Sequence, residues 1–128
     1  MIGVAIAVVC GGCSGSCNAS AEKFYALVDQ ATRNSFGEGE APYRDELSGC
    51  DSWDDPSVLI AMGENVRSVT EVSDQMRSDH WEPFAGQEAR RNPNFMALKK
   101  RVKNQMLIAM IGREPAVSEI TVEIVAEE

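Results

Sequence analysis

Residues 94–112 run NFMALKKRVKNQMLIAMIG, and the expected architecture turns on them. Phe95, Leu98 and Val102 step by threes and fours through a cluster of bases, and Met106 to Ile111 is apolar on every side. Gly112 then supplies a C-terminal stop. The pattern predicts a helix from about Asn94 to Ile111 whose second half is buried all round.

Working outward, residues 79–93 hold Trp81, Pro83, Phe84 and Gly86 and read as an irregular connection. Before it, Asp54 or Asp55 serves as an N-cap and Pro56 suits a first helical position. Leu59, Met62, Val66, Val69 and Met76 follow at near-heptad spacing, with Ser73 in the remaining slot. This predicts a second helix, with Gly63 permitting a close crossing. Residues 37–55 are polar and irregular, pinned by Tyr43, Leu47 and Trp53. A first helix is predicted from Asn18 or Ser20, with Phe24, Leu27, Val28 and Ala31 on one face, fraying by Asn34 and stopping at Gly37. At the two ends, Gly3–Val9 is β-branched and apolar on both faces, as a strand covered on both sides would be. Ile120, Val122 and Ile124 alternate with Thr121 and Glu123, the pattern of a half-exposed edge strand.

The expected order is therefore β-α-α-α-β: one α+β (mixed α/β) domain over residues 1–128, a small sheet of N- and C-terminal strands packed by three helices. Two strands make a poor sheet, so hidden strands in the long loops or another chain must complete it. At 128 residues and 44% hydrophobic, the chain has the composition of one globular domain.

Charge is unevenly placed. The net charge is −8, which disfavours nucleic acid and anionic membranes as partners. Yet residues 90–113 carry seven bases and no acid, leaving five bases against all twenty acids elsewhere. Lys99, Lys100, Arg101 and Lys103 fall in the first half of the predicted third helix, where the macrodipole disfavours cations, and Arg90 and Arg91 lie just upstream. These six are the candidate partner-binding residues, answered by acids of this chain, of another copy or of a separate protein.

All four cysteines are Cys10, Cys13, Cys17 and Cys50, the first three in a glycine-rich stretch. Four thiolates can close a zinc site or hold an iron–sulfur cluster, and the alternative for these residues is loop thiols or a disulfide. Their three-plus-one spacing is similar to the cluster-binding segment of molybdopterin oxidoreductases, without that family's surrounding aromatic and basic residues. Cys10, Gly11, Ser16, Ala21, Glu22 and Lys23 resemble the phosphate loop of the IIB subunits of sugar phosphotransferase systems. A similar loop occurs in low-molecular-weight tyrosine phosphatases. That resemblance implies thiol–phosphate chemistry at Cys10. It stops at residue 37, and the arginine position of the phosphatase loop holds Ser16.

His80 is the single histidine, with Asp79 and Glu82 beside it as conceivable metal ligands. A surface histidine at a helix end is the simpler reading. Asp51, Asp54 and Asp55 form an acidic cluster that helix capping accounts for. The longest uncharged apolar run, Ile2 to Cys10, falls far short of the roughly 20 residues of a membrane span. Ile2–Val9 followed by Ala19-Ser20-Ala21 also has the form of a signal peptide ending near residue 21, although no base precedes it. Retention of residue 1 implies a cytoplasmic or assembly-bound protein, and cleavage an exported envelope protein.

No convergent catalytic set is present in the sequence. The leading expectation is a non-enzymatic interaction or structural subunit. It docks to proteins, or assembles as a homo- or hetero-oligomer, through its bipolar charge, with no cofactor. The alternative is a cysteine-loop protein with redox, metal or phosphate chemistry.

Overall fold

The computed structural model describes residues 2–37, 39–50, 55–63, 68–84, 95–113 and 119–127, with the side chains of the first helix described from Ser16 onward. Its elements in chain order are α1 (Ile2–Ala31), β1 (Tyr43–Leu47), β2 (Ser57–Ala61), α2 (Val69–Arg77), β3 (Glu82–Pro83), β4 (Phe95–Val102), β5 (Gln105–Arg113) and β6 (Ile120–Ala126). The six strands form one antiparallel sheet in the order β1-β2-β6-β5-β4-β3. The expected β-α-α-α-β order is overturned: among the described residues there are two helices, and six strands of this chain form the sheet.

The N-terminal apolar run is helical, not a strand, and α1 continues through Gly11, Gly12 and Gly15 to Ala31. The predicted second helix splits. Val58, Leu59 and Ile60 enter β2, and the helix begins only at Val69, where the Ser68 side chain accepts a 3.0 Å hydrogen bond from the Glu71 amide. Ser68-x-x-Glu71 has capping-box spacing, a start signal that the heptad-like pattern ran straight over. Gly63 does permit a close approach, but of a loop: a Cβ there would lie 3.3 Å from the Gly39 carbonyl oxygen, and its amide donates to the Glu40 carbonyl at 2.7 Å.

The predicted third helix is a hairpin. β4 and β5 pair from Phe95↔Gly112 to Val102↔Gln105, and the chain reverses at Lys103 and Asn104, with Lys103 at φ 56°. Ile120–Ala126 is a strand as expected, but it is central, hydrogen-bonded to β2 on one side and β5 on the other.

Register places Val58, Ile60, Leu98, Leu107, Ile111, Val122 and their neighbours on one face of the sheet. Onto it pack Ala21, Phe24, Tyr25, Val28 and Ala31 of α1 and Val69, Val72 and Met76 of α2, and together these form one core. The fold is a two-layer sandwich of helices on one side of a sheet. Among the described residues no helix is long and apolar enough to cross a membrane.

A disulfide joins Cys17 of α1 to Cys50 just beyond β1. Arg44 reinforces the same junction. It pairs with Asp29 of α1 and with Glu46 at 2.9 Å, and so ties the edge strand to the helix.

Candidate interaction surface

Strand geometry sends alternate side chains to opposite faces, so the sheet has a second face, opposite the one on which the described side chains of α1 and α2 pack. On it register places Leu59, Val125, Ile108, Met110, Met106 and Phe95. All six are half-buried, and none joins the core. Ala97 shares this face and is buried, yet it too stands outside the core cluster. At the β1 edge Tyr43 and Leu47 are 71% and 45% exposed, the large apolar residues most open to solvent among those described.

Four charges frame this apolar centre. Asp45 and Glu123 lie in one cross-strand row, Asp45↔Leu59 and Leu59↔Glu123 being direct partners. Lys99 and Arg101 lie toward the other side, opposite Ile108 and Met106, with Glu82 of the short edge strand beside Lys99. Among the described residues none of Asp45, Glu123, Lys99 or Arg101 makes an ion pair within the chain. The bipolarity of the sequence is thus partly gathered on one surface.

The structure divides the six basic candidates. Lys99 and Arg101 occupy the open face. Lys103 sits at the hairpin turn, where with Lys23, Ala26, Leu27, Asn104 and Gln105 it lines an open cleft of about 440 Å³. Arg90 and Arg91 lie outside the described residues. Lys100 turns inward: its ammonium donates to the Ala31 carbonyl at 2.8 Å, pairs with Asp79 at 3.4 Å and sits 5.9 Å from the centre of the Trp81 ring. Because Lys99, Lys100 and Arg101 are on a strand and Lys103 is at a turn, the conflict with a helix dipole does not arise for them.

Lys100 belongs to a polar network that sequence reasoning missed. Trp81 Nε1 donates to Ser35 Oγ at 3.0 Å, and Ser35 Oγ donates to Asp79 at 2.6 Å, all three residues being buried. The network joins the end of α1, the turn after α2 and β4. Asp79 is thereby committed inside the protein. His80 is exposed at φ 72° in the same turn, and no metal-binding cluster occurs among the described residues. Asp55 of the acidic cluster is exposed in the chain leading to β2; Asp51 and Asp54 lie outside the described residues.

Of the cysteines, Cys17 and Cys50 are joined to each other, a form in which neither sulfur is a thiolate for a metal. The side chains of Cys10 and Cys13 lie outside the described residues. A four-thiolate site at Cys10, Cys13, Cys17 and Cys50 therefore requires the disulfide to be reduced.

The class defined here is a two-layer α/β domain with an open, charge-framed sheet face. No protein-family model, curated protein or solved structure matches this chain.

Proposed function

We propose that this chain is a binding module that docks to protein surfaces, other copies of itself included, through the open face of its sheet. The observation that carries this reading is the apolar centre of Leu59, Ile108, Met110 and Val125 outside the core, set between acids on one side and bases on the other. An apolar patch rimmed by charge is the usual anatomy of a docking surface. Burying the patch supplies the attraction, and the charges select orientation and partner.

The test compares two faces of one strand. Ile108→Ser and Met110→Ser on the open face should change the urea midpoint only slightly and abolish fluorescence enhancement of an apolar-surface dye. Leu107→Ser, one residue away on the core face, should cost about 3 kcal/mol or more. If the open-face pair destabilises the monomer as much as Leu107→Ser, the face is core and the reading fails.

The Cys17–Cys50 disulfide favours a second, compatible reading, that the module works in an oxidising compartment. Such a form keeps Cys17 in the disulfide and Ala21 in the core, so processing after residue 21 does not suit it. Alkylation and intact mass of the protein, isolated without reductant, tests this: two blocked cysteines support it, and four free thiols refute it.

A further inference from the structure

We propose that the occupant of the open face is a second copy of this chain, its acidic side laid against the first copy's basic side about a two-fold axis. The inference rests on the reading of that face as a docking surface and adds the identity of the partner. It comes from the positions of four charges on the sheet. Lys99 lies two strands and one two-residue step from Glu123. Arg101 lies four strands and two such steps from Asp45, in the same direction.

The two displacements are therefore parallel, the second twice the first. With strands about 4.8 Å apart and alternate residues about 6.8 Å apart, they span about 12 and about 24 Å, and their perpendicular bisectors coincide to within about 2 Å. One two-fold axis along that line, lying between two stacked sheets, brings Glu123 opposite Lys99 of the second copy. The same axis brings Asp45 opposite Arg101 of the second copy. Symmetry doubles these to four pairs.

The axis passes beside Met110 and Val125, so the apolar centre meets its own counterpart. Scattered charges do not share one axis by default. A heterologous partner would place no such condition on them.

The framed face measures about 19 Å by about 14 Å, a small footprint beside the roughly 800 Å² that each partner buries in a standard interface. The dimer is accordingly weak and concentration-dependent, and salt disperses it. Lys99→Glu with Arg101→Glu makes all four framing charges acidic, and Asp45→Lys with Glu123→Lys makes all four basic. Sedimentation across the micromolar range should show a wild-type dimer and two monomeric variants. An equimolar mixture of the two variants should recover a dimer, because every pair is again opposite in sign.

A second measurement on wild-type protein does not depend on the variants folding. Zero-length carbodiimide coupling in a mixture of isotope-labelled and unlabelled chains should join Glu123 of one chain to Lys99 of the other. Wild-type protein that stays monomeric and yields no mixed cross-link overturns the second copy as occupant. If Ile108→Ser and Met110→Ser are still tolerated, the docking face itself stands, with a different protein upon it. A dimer indifferent to both charge reversals, or variants that fail to recover on mixing while each is folded, also overturns the proposal.

Discussion

Lys100 and Asp79 are the residues on which the helix layer and the sheet are pinned together by charge. Their side chains are 15% and 10% exposed, so the pair is shielded and its loss is costly. Lys100→Ala strands a buried carboxylate and should destabilise the protein by about 3 kcal/mol in urea unfolding. Adding Asp79→Asn should recover part of that loss, because the uncompensated charge goes with it. A double-mutant cycle with no coupling would show that the pair does nothing for stability.

Tyr25 sets a different dependence. Burial pushes its hydroxyl above the usual tyrosine range; Glu46 and Glu22 push it further, and Arg44 opposes them. In the unfolded chain the phenol ionises near pH 10, so above that pH the unfolded state has released a proton that the folded state keeps. The stability contributed by the neutral phenol is fully present below about pH 10 and is lost as pH rises toward the folded value. The urea midpoint of Tyr25→Phe should therefore fall less steeply than that of wild type through this alkaline range. Parallel curves would refute the assignment.

At the scale of elements, the edge strand β1 is the part most in need of a tether. All five of its residues are exposed, and it pairs with β2 alone. The Arg44 contacts hold it to α1, and the Cys17–Cys50 disulfide closes a loop of 33 residues' separation around it. Loop closure of that size is worth about 4 kcal/mol to the folded state. Cys17→Ser with Cys50→Ser should lower the melting temperature, with amide exchange rising first in β1, whereas Cys10→Ser with Cys13→Ser should leave the fold largely unchanged. Equal melting temperatures with and without the Cys17–Cys50 bond would remove this tether from the account.

The hairpin shows why element type was hard to read. On β4 the inward positions are Met96, Leu98, Lys100 and Val102, so a charged residue breaks the alternation that marks a strand. On β5 both faces are apolar, Leu107, Ala109 and Ile111 inward and Met106, Ile108 and Met110 outward, and a continuous apolar run does not distinguish a strand from a buried helix. The outward methionines and isoleucine that hid the strand are the same residues that form the apolar centre of the open face.

For the molecule as a whole, the amphipathic half of α1, the strand at Ile120–Ile124 and the gathering of bases in residues 90–113 follow from the sequence alone, because each is a local pattern of side chains. The second helix was half legible, its Val69–Met76 portion real and its Leu59 end a strand. Neighbouring residues cannot express the rest. β6 is central because β2, distant in the chain, pairs along the side opposite its sequence neighbour β5, and Lys100 is interior because Asp79 waits there to receive it. The four framing charges share an axis only once strands from three parts of the chain lie side by side in register. The sequence by itself determined which segments are amphipathic and how much charge each carries. The tertiary structure decided which of those charges end up buried, paired or facing outward together, since that depends on contacts between residues distant in the chain.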